Sequence, residues 1–139
     1  METHDVWKEH DIKKTKQRAM LLDILEEMEL PLPAAQIHNL YLQKDPGAWI
    51  STTYRTLELF IEKGIVNKVM FLDNVQYELN RNEHKHYAFC KCCKKVMNLD
   101  NCPIENFPVN TQEGGFYVTG HRLEIYGYCE ECHKKNDKI

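Results

Sequence analysis

Apolar residues recur at helical spacing in three early stretches of the chain, and beyond Gly64 the pattern changes to short runs rich in β-branched residues. In the first stretch Ala19, Leu22 and Leu25 repeat every third position, with Met20, Leu21, Ile24 and Met28 filling the adjoining turns. Thr15 is placed as an N-cap, so the spacing predicts a helix over residues 15–29. Leu30-Pro31-Leu32-Pro33 ends it, because each proline biases its predecessor away from helical dihedrals. Pro33 then fits the opening turn of a second helix running to about residue 43, with Ile37, Leu40 and Tyr41 on one face. Lys44-Asp45-Pro46-Gly47 is a turn by composition. A third helix is expected over about residues 50–63, carrying Tyr54, Leu57, Phe60 and Ile61 inward and capped by Gly64. Residues 65–71 and 75–79 are β-like and joined around Asp73-Asn74, which suggests a hairpin. Three helices followed by a two-stranded ribbon is the order of a winged helix-turn-helix, in which the last helix enters the DNA major groove. The same pattern also suits a small α+β domain of another kind.

The second half reads as strands, over residues 84–90, 95–99, 116–119 and 122–126, with a helical turn at 103–107. The polar stretch Asn80-Arg81-Asn82-Glu83 is turn-prone. The fold expected is therefore α+β, with a winged-helix DNA-binding domain over residues 1–80, a hinge at 81–84 and an α/β domain over 85–139.

Cysteine spacing adds chemistry to the second domain. Two CxxC pairs, Cys90/Cys93 and Cys129/Cys132, are separated by 35 residues and read as one four-thiolate structural zinc site. Two lobes of about 70 residues would each be marginal without such a staple. Structural zinc supplies roughly 10–16 kcal/mol in small peptides, against about 5–15 kcal/mol for the net stability of a whole domain. The competing readings are two disulfides or a thiol-disulfide enzyme, but redox CxxC motifs open a helix in a βαβ setting, which neither pair has here. Just ahead of Cys90, strand alternation places His84, His86 and Ala88 on its face. Two imidazoles at i and i+2 form half of a second site, with Glu105, His121 and Glu78 as candidate partners and Cys102 within possible reach. Cys92 reads as a bystander thiol.

Net charge is −3, so no general basic field points to nucleic acid, although Lys13, Lys14, Lys16 and Arg18 cluster where they can grip phosphates. No glycine-rich phosphate loop, membrane-length apolar run or secretory leader is present, and the reduced thiols suit the cytoplasm. A zinc-ribbon adaptor without metal response is a further rival.

Several motifs together make the chain similar to the ferric uptake regulator (Fur) family of metal-sensing bacterial repressors, over nearly its full length. They are Thr15-Lys16-Gln17-Arg18, the run from Thr52-Thr53-Tyr54-Arg55 to Phe60 with Lys63-Gly64-Ile65-Val66, His84-Lys85-His86 before Cys90, and Val118-Thr119-Gly120-His121 leading into Cys129. The resemblance implies a C-terminal dimerisation domain, a homodimer on a palindromic double-stranded DNA operator, and no catalytic residue, small-molecule substrate or membrane partner. It implies that Tyr54 and Arg55, with Ser51 and Thr52, face DNA on the recognition helix, and that Lys14, Lys16 and Arg18 meet the backbone. It also implies a regulatory site of His84, His86, Glu105 and His121, beside the structural zinc. A one-residue bulge would return His84 and His86 to the alternative site that includes Glu78. Pro31 stands where many iron and peroxide sensors have histidine, Lys85 and Tyr87 stand at the alternate-face positions, and Trp49 replaces the serine that usually opens the recognition helix, leaving Ser51 as the expected cap. Asn101-Cys102-Pro103 and Thr119-Gly120-His121 look more like zinc-uptake members, so the expectation is a zinc-responsive repressor, ahead of an iron-responsive one and with manganese less favoured.

Overall fold

A computed structural model describes residues 5–104 and 112–135. The chain divides into two compact units, Met1–Glu83 and His84–Ile139.

The first unit is a winged helix-turn-helix: α1 (Val6–Glu9), α2 (Lys16–Glu27), α3 (Ala34–Lys44) and α4 (Ile50–Glu62), followed by β1 (Val66–Phe71) and β2 (Asn74–Leu79). Thr15 caps α2 as expected, its hydroxyl accepting from the Arg18 amide at 3.2 Å. The helix then buries Leu21, Leu22, Ile24 and Leu25. Pro33 lies at the N-cap of α3, one position before the opening turn predicted for it. The core is closed by Ile37 and Tyr41 from α3 and by Leu57 and Phe60 from α4.

Two expectations for α4 are corrected. Its buried stripe is Thr53, Thr56, Leu57 and Phe60, so Tyr54 is turned about 100° away and is exposed instead of packing inward. Trp49, with no side-chain cap, precedes the first residue Ile50, so Ser51 lies inside the first turn and does not cap the helix. The other end follows expectation. Gly64 takes φ +79°, its amide donates to Ile61 O at 3.0 Å, and the Ile65 amide reaches Phe60 O at 2.8 Å, which satisfies the last carbonyls of the helix.

β1 and β2 pair antiparallel from Val66↔Leu79 to Phe71↔Asn74. The two-residue turn is therefore Leu72-Asp73, one position earlier than predicted, with Leu72 at φ +57°. Leu32 adds a bridge to Tyr77 through bonds of 3.1 and 2.8 Å, so the Pro31–Pro33 linker joins the wing to the helices. Arg81, the first residue of the expected hinge, donates to Glu26 O at 2.8 Å, and the preceding Asn80 side chain donates to Gly64 O at 3.0 Å, both within the first unit.

In the second unit β3 (Tyr87–Cys90) is central, antiparallel to β4 (Val96–Asn98) and parallel to β5 (Ile125–Gly127), and α5 (Glu130–Lys135) follows. Tyr87, Phe89 and Val96 are buried. The strand predicted over 84–90 starts only at Tyr87, and that over 122–126 contracts to β5. Residues 116–119 form no strand, because no segment among the described residues pairs with them, and Phe116, Tyr117 and Val118 are exposed. Of the helical turn expected at 103–107 only residues 103 and 104 are described, and they are in a turn. α5 was not foreseen.

Candidate functional site

The parallel register of β3 and β5 sets Cys90 opposite Gly127, and the Lys91 amide donates to Gly127 O at 2.8 Å. Both CxxC turns therefore leave the same end of one sheet. The first folds tightly on itself, with Lys94 N donating to Cys90 O at 2.9 Å and Lys94 at φ +69°. The second runs into α5, which carries the buried Cys132. The sulfurs of Cys90, Cys93, Cys129 and Cys132 all lie within 4.8 Å of one another, and Cys93 Sγ is 3.8 Å from Cys129 Sγ. A tetrahedral zinc with bonds of about 2.3 Å requires sulfur separations of about 3.8 Å, so the donors fit that ion. All six cysteines are free thiols.

The first knuckle also prepares a thiolate. Backbone amides of Cys129, at 3.4 Å, and Cys93, at 3.5 Å, donate to Cys90 Sγ and bring its thiol down to about 6. Burial, with neighbouring sulfurs adding to it, pushes the Cys132 thiol up. A cation among these sulfurs reverses that second effect, because coordination favours the deprotonated ligand.

A second cluster gathers His84, His86, His121 and Cys102, whose donor atoms also lie within 4.8 Å of one another. His86 Nε2 is 3.1 Å from His84 Nε2 and 2.9 Å from His121 Nε2, and Cys102 Sγ is 3.4 Å from His121 Nε2. Zinc–imidazole bonds of about 2.0–2.1 Å give nitrogen separations of about 3.3–3.4 Å, close to those here. Burial, then the neighbouring His84 and His121, lowers the pKa of His86 and favours the neutral ring that a metal requires. The β3–β4 pairing runs from Tyr87↔Asn98 to Phe89↔Val96 without a bulge, and Tyr87 is buried in the core. Glu105 lies outside the described residues. Glu78 stands on β2 of the first unit, outside both clusters. Cys102, a secondary candidate in the sequence, stands within the cluster, while Cys92 is exposed and outside the tetrad.

In the first unit α4 turns Ser51, Tyr54 and Arg55 to solvent. A cleft of about 260 Å³ separates this face from the start of α2, lined by Thr15, Gln17 and Arg18 on one side and Thr52, Arg55 and Thr56 on the other. Lys14 and Lys16 are exposed beside it in sequence, and the Arg18 guanidinium donates to Lys13 O at 2.6 Å. Pattern reading missed His38, which is buried on α3 with its Nδ1 2.8 Å from Thr53 Oγ1. That bond joins α3 to the inward face of α4. Its only trace in the sequence is that both residues fall on the buried stripes of their helices.

Comparison with known proteins agrees with this architecture. The profile of the ferric uptake regulator family matches residues 9–126. The ferric uptake regulation protein of Staphylococcus epidermidis is 33% identical over 139 residues, covering 97% of this chain and 99% of that protein. A solved structure described as a zinc-bound manganese uptake regulator is 30% identical, with TM-score 0.69 over 88% of this chain and 94% of that one. The ferric uptake regulator of Helicobacter pylori shares the fold at 22% identity, with TM-score 0.75 over 91% of this chain and 86% of that one. With its winged helix, its four-cysteine cluster and a profile match over most of its length, the chain belongs to the ferric uptake regulator family.

Proposed function

We propose that this protein is a metal-dependent DNA-binding transcriptional repressor that responds to zinc. The observation carrying this reading is the convergence of His84, His86, His121 and Cys102. Imidazole and thiol donors suit zinc, whereas manganese prefers hard oxygen donors, so these four side chains favour zinc over manganese. These four side chains would hold the metal, which would supply one positive centre among them. His84 and His86 precede β3 directly, so holding them together fixes the chain where the second unit begins, beside residues 80–83. The metal shifts the dimer toward operator spacing only by its difference in affinity between the two arrangements.

The four-thiolate cluster is assigned to structural zinc. Tyr54, Arg55, Ser51 and Thr52 would read a palindromic duplex, while Lys14, Lys16 and Arg18 neutralise phosphates. A homodimer is supported by the exposed apolar run Phe116-Tyr117-Val118, in which Tyr117 is 91% accessible. The absence, among the described residues, of a helix long and apolar enough to cross a membrane is compatible with a cytoplasmic repressor.

An iron-responsive regulator is the second reading, favoured by the relatives named ferric uptake regulation proteins. Protein holding only its structural zinc, titrated with zinc, ferrous and manganous ions at one salt concentration and scored by duplex binding, separates the two. Zinc should restore binding while ferrous ion, buffered across the free concentrations a cytoplasm supplies, should not, and His86→Ala with His121→Ala should abolish the response while the four-thiolate zinc remains. Binding restored by ferrous ion within that range would transfer the assignment to iron.

A further inference from the structure

The entrance of α4 carries an apolar patch that packing does not explain. Trp49 is 76% exposed, Ile50 46% and Tyr54 44%. Ile50 and Tyr54 are four positions apart on one stripe of the helix, and Trp49 is the exposed N-cap residue immediately before it. The N-cap position is where serine, threonine or aspartate would stabilise the helix, yet it holds an indole and no side chain caps α4. Local stability is given up here, and a large apolar surface is left in water.

The surroundings say what would cover it. Arg55, next to Tyr54 in sequence, is exposed and lines a cleft with Thr15 and Arg18 at the start of α2, where Lys14 and Lys16 are also exposed. An apolar tip on the helix that also carries Arg55 suits an anionic partner that presents small apolar groups within reach. In the major groove of B-DNA the only such group on a base edge is the thymine C5-methyl. The N-terminal residues of a recognition helix are the ones that reach base edges.

We infer that Trp49, supported by Ile50, is a specificity-determining residue that packs on thymine methyls and extends the operator readout beyond Tyr54 and Arg55. The inference rests on the reading of α4 as the recognition helix. Arginine and lysine set affinity through phosphates, whereas Trp49 sets which thymines are preferred. Its exposure lets it be replaced without disturbing the core.

The test uses the full-length, metal-replete protein and a randomised duplex library. Wild type, Trp49→Ser and Trp49→Phe are each put through selection. Every thymine of the wild-type consensus is then replaced in turn by deoxyuridine, which removes only the methyl. Wild type should lose about fourfold in affinity for each methyl that Trp49 covers. Trp49→Ser should lose the preference at those positions while keeping the salt dependence of binding, and Trp49→Phe should retain part of it. Selection of the same consensus by Trp49→Ser, with undiminished methyl discrimination, overturns the role of Trp49 and leaves α4 as the reading helix. Failure of the wild type to bind any duplex removes the recognition-helix reading and this inference with it.

Discussion

Replacing Thr53 by valine removes one oxygen from the centre of the first unit while keeping the outline of the side chain. Thr53 is fully buried, His38 is 8% exposed, and their atoms are 2.8 Å apart, so the imidazole nitrogen has no ready substitute among solvent molecules. Leaving a buried polar group without its partner costs about 1–3 kcal/mol. For a domain of this size each kcal/mol moves the melting temperature by about 4–8 °C, so a loss near ~2 kcal/mol corresponds to about 8–16 °C. Trp7 reports on this core because its ring packs 6.4 Å from that of Phe60. In a Trp49→Phe background it becomes the only tryptophan, and urea unfolding of the metal-replete chain can be followed by its emission. Thr53→Ser keeps the oxygen and should recover most of the loss. The double variant His38→Leu with Thr53→Val removes both polar partners and should be less destabilised than the sum of the single changes. A cost below about 0.5 kcal/mol for Thr53→Val, or strict additivity in the double variant, would refute the idea that this bond fixes α4 on α3.

Gly64→Ala meets no atom within 4 Å, so its cost is that of an L-residue at φ +79°, about 1–2 kcal/mol, and the same urea assay should register it. Cys129→Ser removes one sulfur of the tetrad and an anchor of the second knuckle. The isolated variant should retain much less than one structural zinc per chain by metal analysis and lose ordered structure in the second unit by hydrogen exchange, whereas full retention would exclude the four-thiolate assignment. Gln76 buries an Oε1 that has no hydrogen-bond partner among the described residues, so Gln76→Met should hold stability or raise it by about 1 kcal/mol, and a clear loss would show that the amide is used.

Local rules made much of the first unit legible. A capping threonine, two proline breaks and a glycine stop bound helices whose apolar stripes differ little from the observed ones, because each signal acts within a few residues. Tyr54 was misplaced because aromatic residues count as apolar in a periodicity, although neighbouring Thr53 takes the buried position through a bond to His38 that periodicity does not encode. The second unit was harder to read. Its CxxC spacing announces the thiolate cluster, but the β3–β5 pairing joins Cys90 to Gly127 across a long intervening segment, and no local pattern specifies that register. Residues 116–119 have strand composition but no partner among the described residues. The short α5 follows a knuckle cysteine and draws on the acidic first turn of Glu130 and Glu131, a signal too brief to separate from a loop. Cys102 enters the imidazole cluster through the path of the loop after β4, so its sequence distance from His86 was uninformative.

β3 has one donor group at each end: imidazoles immediately before Tyr87 and a thiolate at Cys90. Four residues of extended chain span only about 13 Å. A freshly synthesised chain without its first ion would present the histidines on an unanchored ribbon, where their mutual geometry is not held. With zinc at both clusters, as proposed above, filling would be ordered, the sulfur end loading during assembly and the nitrogen end exchanging afterwards. Strong chelation should strip the two ions in the reverse sequence, with folding surrendered only at the second departure.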